Sequence, residues 1–409
     1  MRKLNKDFKM PKEKQKIQKN ELKDKEIEEI KKIKIKVVGI GGGGGNIVSE
    51  IAQIKNPKIS FLIADTDIKS LKKFPKNIGH FIFGEKVTHG LGTGMDVNLG
   101  IEAAKSEREK IKNVLSGYDF IIFIATLGGG VGSGASQVFA QIAKNLGILT
   151  YGIFTLPFDF EGKKKMEIAK NAIFELKKRL NAISILSNEK IFQVAEKSLV
   201  LDKAFSLMNN ILAFNLRNLI QVIFQPGLIN IDFADLKTIF EGQGLLTYLN
   251  SAQIKEEVAK EIEKLLSSPF YQYSIEGARG VLLNIKAPKD LSLETVNKIS
   301  TAISERVNKD AKIIFGVSSQ KEKSPTVLVL ATGCTNFPFE NLVQEKKIED
   351  KRKKKKINRK KEEKELLKKE VKERKNGVQL QKELEKQEAE FLAQEKAFEP
   401  PTFLRKKLA

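Results

Sequence analysis

Cysteine and histidine are almost missing from this 409-residue chain: Cys334 is its one cysteine, and His80 and His89 are its histidines. A lone cysteine cannot close an intramolecular disulfide, and three such residues cannot build a zinc-type ligand cluster. A reducing compartment is therefore expected. Long hydrophobic runs are missing as well. No stretch approaches the ~18 apolar residues of a membrane span, and the first 34 residues are dense in Lys and Glu with no apolar core. Neither secretion nor membrane insertion is indicated, and the chain reads as cytoplasmic. A third absence concerns phosphate chemistry. No glycine run leads into a Gly-Lys-Ser/Thr ending, which disfavours a P-loop kinase or ATPase.

What is present is enough for two cores. The chain is 41% hydrophobic, and domains usually run to roughly 100–200 residues, so two ordered domains with extra segments are expected. The net charge of +22 invites a nucleic-acid reading, but its location argues otherwise. Residues 1–34 carry 13 basic and 7 acidic side chains, residues 345–397 carry 20 and 13, and residues 398–409 carry 3 and 1. Fifteen of the 22 excess charges thus fall outside the middle of the chain. They read as solvated tails rather than as a nucleic-acid surface.

From Ile35 to about Ser187, short β-branched or apolar runs alternate with helical patterns. The expected central strands are Ile35–Ile40, Phe61–Ala64, Phe120–Ala125, Tyr151–Thr155 and Ile183–Leu186, which makes a mainly parallel sheet with helices on both faces. Residues 199–223 read as a long helix, apolar around most of its girth and so buried between two layers. Gln225-Pro226-Gly227 stops it. Helices at about 253–267 and 293–308 and strands at Val281–Ile285, Lys312–Val317 and Val327–Ala331 predict a smaller α+β domain. Residues 345–397 are a Lys/Glu-rich segment, either disordered or a fraying charged helix, and the last dozen residues regain apolar character.

Two glycine runs fall at strand ends, where ligands sit in such sheets. Gly41–Gly45 follows the first strand and precedes a helix expected from near Asn46, so backbone N–H groups and a positive helix end converge on an anion site. Several of these glycines are expected at φ > 0. Gly39-Ile40-Gly41-Gly42-Gly43-Gly44 also satisfies G-x-G-x-x-G, with Asp65 and Asp67 where a ribose-binding carboxylate would sit, so a dinucleotide-binding dehydrogenase is a rival reading. Against it stands the second run, Gly128 to Gly134, because two such loops on one sheet suit a triphosphate better than a nicotinamide.

The stretch Gly128-Gly129-Gly130-Val131-Gly132-Ser133-Gly134 resembles the tubulin signature. With Gly39–Asn46 and Asn230-Ile231-Asp232-Phe233-Ala234-Asp235, the chain resembles the tubulin/FtsZ family of cell-division GTPases from about Ile35 to Thr332. The resemblance implies a tubulin-like α/β fold. A parallel-sheet, Rossmann-like GTPase domain over 35–198 would be joined by a central helix over 199–224 to an α+β domain over 225–334. Charged tails would fill 1–34 and 335–397, and 398–409 would be a docking peptide. It further implies GTP and GDP as ligands, Mg²⁺ as cofactor, and head-to-tail assembly into filaments that form a ring at the mid-cell division site and recruit other division proteins.

Carried over by position, Gly42, Gly43 and Asn46 would line the first phosphate loop, and Gly129, Gly130, Gly132 and Ser133 would wrap the phosphates from the other side. Thr93, Gly94 and Met95 would sense the terminal phosphate, Glu161 would contact the ribose, Asn188 the guanine, and Phe205 would stack on the base. Asn230, Asp232 and Asp235 would enter the site of the next subunit, where the two carboxylates polarise the attacking water. Read without the resemblance, Asp232 caps the following helix and Asp235 sits in its first turn; both roles can hold at once.

The chain departs from the family pattern at Asp65, commonly Asn, at Val131, commonly Thr, at Lys165, commonly Arg, and at Asn210, commonly Asp. Lys165 keeps the charge without the bidentate fork. Asn210 in place of a carboxylate predicts looser discrimination against other purine nucleotides. Near the end, Phe403, Leu404 and Arg405 in Glu399–Lys406 resemble the family's terminal peptide for membrane-tethering partners, on a tether that acts by reach. The first 34 residues have no counterpart to carry over.

Overall fold

A computed structural model of the chain describes residues 33–335, apart from 54–57, 195, 197–199, 226, 243, 256, 289–290, 321 and 323, together with 377–395. The first sheet comprises β1 (Ile35–Ile40), β2 (Ile59–Asp65), β3 (Gly79–Ile82), β4 (Phe120–Thr126), β5 (Leu149–Leu156) and β6 (Ala182–Ser187). Their order is β3-β2-β1-β4-β5-β6 and every pairing is parallel. Between them run α1 (Gly41–Ile51), α2 (Ile68–Leu71), α3 (Glu85–Thr88), α4 (Val97–Ser106), α5 (Arg108–Leu115), α6 (Ser136–Asn145) and α7 (Lys163–Leu176). Strands β1 and β5 are buried along their whole length, as β-branched and aromatic runs must be when helices cover both faces of a sheet. The chain order reverses between β1 and β4, which lie side by side from Ile35↔Phe120 to Ile40↔Ala125. That reversal opens a crevice at the carboxyl ends of these two strands.

Helix α8 (Leu201–Phe224) comes next, 24 residues and so about 36 Å long. Ala204, Met208, Leu212, Leu216, Leu219 and Ile220 bury one broad side of it, against α1 on the first sheet's side and two strands of the second sheet. Gln225 ends the helix in extended backbone, the conformation a following proline demands. Beyond lie β7 (Gly227–Ile229), α9 (Phe233–Phe240), β8 (Thr247–Gln253), α10 (Val258–Leu266), β9 (Gly280–Ala287), α11 (Leu293–Ser304), β10 (Lys312–Ser319) and β11 (Thr326–Thr332). Their sheet, ordered β7-β10-β9-β11-β8, is mixed: β9 and β10 run parallel, the other pairs antiparallel. Buried hydroxyls stitch the two sheets together. Tyr151 Oη and Ser184 Oγ lie 2.6 Å apart, and Ser184 Oγ and Tyr273 Oη donate to the Thr247 carbonyl at 2.6 and 2.8 Å.

The sequence misses three strands. Edge strand β3 is four largely exposed residues, Gly-His-Phe-Ile, with no core pattern. Strand β7 is three residues. Strand β8, Thr-Tyr-Leu-Asn-Ser-Ala-Gln, mixes polar with apolar side chains although five of its seven residues are buried. Of the charged C-terminal segment, residues 377–395 are helical (α12) and exposed throughout. The peptide carrying Phe403, Leu404 and Arg405 and the first 32 residues lie outside the described residues.

Candidate nucleotide site

The two glycine runs leave β1 and β4 side by side, and the structure gives them a different local form from the expected loops. Helix α1 starts at Gly41 itself rather than near Asn46. In the first run Gly41 alone has positive φ, at +77°. The others are glycines because the helix lies flat on the sheet: a Cβ on Gly44 would sit 2.5 Å from the Ile124 carbonyl oxygen, and one on Gly43 would collide with the Thr126 side chain. A Cβ on Gly42 would make ordinary contact only, with Ser70 Oγ at 3.4 Å and Asp65 Oδ2 at 4.0 Å. The second run turns at Gly128, φ +105°, then continues through a π-helical turn, Val131–Ala135, into α6. A Cβ on Gly129 would meet nothing within 4 Å. The backbone at Gly42 and Gly129, next to helix starts, lines the crevice, the arrangement an anion site needs.

Two adjoining cavities share Thr126 and Gly129. The smaller, about 230 Å³, brings Gly42, Thr93, Gly130 and Gly132 together with Asp65 and Asp67. The larger, about 630 Å³, gathers Gly43, Asn46, Glu161, Lys165, Asn188 and Phe205. Residues carried over one by one from six separate stretches thus converge on a continuous hollow. Within it Lys165 Nζ pairs with Glu161 Oε2 at 2.8 Å, while Glu161 Oε1 accepts the Phe158 N–H at 2.9 Å. The Phe158 ring in turn meets Phe160, Phe192 and Phe205 at 4.9, 5.8 and 5.4 Å, an aromatic rim beside the cavity.

Four carried-over residues fall elsewhere. Ser133 is fully buried and accepts the Gly128 N–H at 2.9 Å, so its hydroxyl braces the loop. Gly94 and Met95 follow Thr93 in left-handed backbone, φ 54° and 70°, and line neither cavity. Asn210 is exposed and outside the hollow; Asn209 lines it instead. The reason is helical spacing: Asn209 lies one turn after Phe205 on the same face, and Asn210 is rotated a further 100° or so.

Beyond the residues carried over, the hollow takes in Thr155, which no motif marked, and Asp65, which the sequence marked only as a rival ribose-binding carboxylate and a departure from the family pattern. Thr155, at the end of β5, lines the larger cavity with a buried hydroxyl that has no hydrogen-bond partner. Asp65 is 4% exposed; burial lifts its carboxyl pKa above the ordinary value, against the pull of the Asp67 and Thr66 N–H groups.

Asn230, Asp232 and Asp235 line neither cavity. The Asn230 side chain accepts the Gly227 N–H, and Asp232 and Asp235 cap α9 reciprocally. Helix α9 packs under the start of β4, with Phe233 and Phe240 6.3 and 5.8 Å from Phe120. The glycine run follows the other end of that strand, past Thr126, some 20 Å away along the sheet. The carboxylates and the glycine-lined cavities therefore lie beyond opposite ends of β4.

Family models bear directly on what this hollow holds. Residues 34–196 match the Tubulin/FtsZ family GTPase domain and residues 246–335 the FtsZ family C-terminal domain. The cell division protein FtsZ of Buchnera aphidicola subsp. Schizaphis graminum is 36% identical over 317 residues, 76% of this chain and 82% of that protein. The chain belongs to the FtsZ family. A solved FtsZ dimer from M. jannaschii superposes with a TM-score of 0.69 at 31% identity, covering 77% of this chain and 92% of that one. At 17% identity and a TM-score of 0.67, CetZ2 from Haloferax volcanii shares the fold. As an FtsZ-family chain with its GTPase domain, the protein binds guanine nucleotide and is a GTPase of cell division. The dehydrogenase reading of Gly39–Gly44 falls with that. Among the described residues no helix is long and apolar enough to cross a membrane.

Proposed function

We propose that the chain polymerises head to tail, that GTP hydrolysis is completed by Asn230, Asp232 and Asp235 of the next subunit, and that the filaments form the ring at mid-cell. One observation carries this reading: the carboxylates lie at the amino end of β4 and the phosphate cradle beyond its carboxyl end, a separation no side chain spans. Stacking copies along that axis brings one end against the other. Leu228 and Ile229, 88% and 44% exposed beside the carboxylates, suit burial in such a contact. The solved dimer of an FtsZ relative is in keeping with it.

In this reading the triphosphate lies on Gly42, Gly129, Gly130 and Gly132, with Thr93, Gly94 and Met95 at its terminal end and Ser133 holding the loop. Glu161, Lys165 and the orphan Thr155 hydroxyl meet ribose and phosphate, and Asn188, Phe205 and Asn209 meet the base. Asp232 and Asp235 of the neighbour orient water for attack on the γ-phosphorus and take up its proton as GDP leaves. Mg²⁺ fits the small cavity: Asp65, Asp67, Ser70 and Thr93 offer hard oxygen donors. Among the described residues no cluster of three or more His, Cys, Asp or Glu forms a dedicated cage, as suits an ion held largely by phosphates. When bound, it would neutralise charge between the phosphates and the surrounding carboxylates. The C-terminal peptide with Phe403, Leu404 and Arg405 would dock on membrane-tethering division proteins.

The test is phosphate release from GTP against protein concentration, for the chain and for Asp235→Asn. The expected result is a specific rate that climbs steeply with concentration and is abolished in the variant. Release strictly proportional to protein, with the substitution harmless, would overturn the shared site.

A further inference from the structure

Two helices, α1 and α8, pack together beside the larger cavity, and each contributes a pair of side chains one turn apart: Asn46 and Glu50 from α1, Phe205 and Asn209 from α8. Four-residue spacing puts both members of a pair on one helix face. Glu50 lies about 10 Å along the α1 axis from Gly43, so it lines the end of the hollow remote from the phosphate-facing glycines. It is half-buried, and among the described residues it forms no hydrogen bond or ion pair. The other carboxylate lining this cavity, Glu161, is already held by Lys165 and the Phe158 N–H.

Guanine presents two adjacent donors, N1–H and the exocyclic amine, next to the O6 acceptor. A carboxylate accepts from both donors at once, whereas an amide offers one acceptor. Helix α8 has amides at both 209 and 210, which is why its sequence predicts weak purine selectivity. We infer that Glu50 restores that selectivity, supplying from α1 the carboxylate that α8 lacks. The Asn46 and Asn209 amides are placed to serve O6. Adenine carries a lone pair at N1, so the same carboxylate also repels the wrong base. This inference rests on the seating of the nucleotide proposed above.

Equilibrium binding of GTP, ITP and ATP to the full chain, Glu50→Gln and Glu50→Gln/Asn209→Asp tests it. The chain should prefer GTP over ATP by about a hundredfold, and ITP, lacking the exocyclic amine, should bind between them. Glu50→Gln should cut the GTP:ATP ratio about tenfold or more, the loss of a charged hydrogen bond. Moving a carboxylate to α8 in the double variant should recover most of it, which a merely structural role for Glu50 would not produce. A GTP:ATP ratio unchanged within twofold in Glu50→Gln, with both nucleotides still bound, would overturn the inference and leave the site intact. Failure of the unsubstituted chain to bind any purine nucleotide would instead remove the seating on which it rests.

Discussion

Asp232 and Asp235 hold each other: the Asp232 carboxylate accepts the Asp235 N–H at 2.8 Å, and the Asp235 carboxylate accepts the Asp232 N–H at 3.0 Å. The two residues proposed to act on a neighbour's nucleotide also start helix α9, so an alanine at either site mixes two effects. Asparagine keeps an acceptor oxygen and removes the charge. We expect Asp235→Ala to cost about 1 kcal/mol of stability, the usual loss of a cap, and Asp235→Asn much less. Both should lose two or more orders of magnitude in assembly-dependent GTP turnover. Thermal denaturation and phosphate release measured on the same samples separate the two effects.

Gly44 and Gly129 have opposite reasons to be glycine. A Cβ at Gly44 meets the Ile124 backbone at 2.5 Å, whereas one at Gly129 meets nothing within 4 Å. Gly44→Ala should lift α1 off the sheet and destabilise the fold by about 2–3 kcal/mol, the range of overpacked cores. Gly129→Ala should leave the melting temperature within about 1 °C and weaken GTP binding about tenfold or more, because its methyl stands in the space proposed for the phosphates. Equal stability losses in both variants would contradict this division.

The Thr155 hydroxyl is buried without a partner on the cavity wall. An orphan of this kind costs stability until a ligand meets it. Thr155→Val should therefore keep or raise the melting temperature of the nucleotide-free protein by about 1–3 °C while lowering GTP affinity several-fold. Calorimetric titration beside a melting curve reads both.

Asp65 makes stability depend on pH. Its carboxyl pKa is raised by burial in the fold, so the folded chain holds that proton more tightly than the unfolded one. The contribution of Asp65 is most favourable below the unfolded pKa, about 4, and is lost as pH rises through the folded value. At pH 7 the buried charge is a net cost. Asp65→Asn, which keeps an acceptor for the Thr66 N–H, should melt about 1–3 °C higher than the parent chain at pH 7, with the gap closing toward pH 4. A gap independent of pH would show that something other than the charge is responsible.

Much of the site was legible because motifs bring their residues in fixed local order. Gly42, Asn46, Gly129, Glu161 and Lys165 could be named from short stretches, and the structure gathers them around one hollow. The misplacements have local causes. Asn210 stands where the family resemblance puts the base-binding carboxylate, but the 100° turn per residue puts Asn209 on the cavity wall instead. Several glycines of the first run are expected at φ > 0 because composition does not distinguish positive φ from close packing, and only Gly41 has it.

By itself the sequence determined eight of the eleven strands among the described residues, the buried character of α8 and the identity of both glycine runs, because periodicity and backbone chemistry are local properties. Three things were decided by tertiary structure alone. Pairing β1 beside β4 set the two glycine runs into one cradle. Packing α8 on α1 put Glu50 and Asn209 around the same hollow. Seating α9 under Phe120 placed Asp232 and Asp235 at the other end of β4 from the glycine-lined cavities. Each depends on contacts between residues far apart in the chain, and no local pattern encodes such a distance.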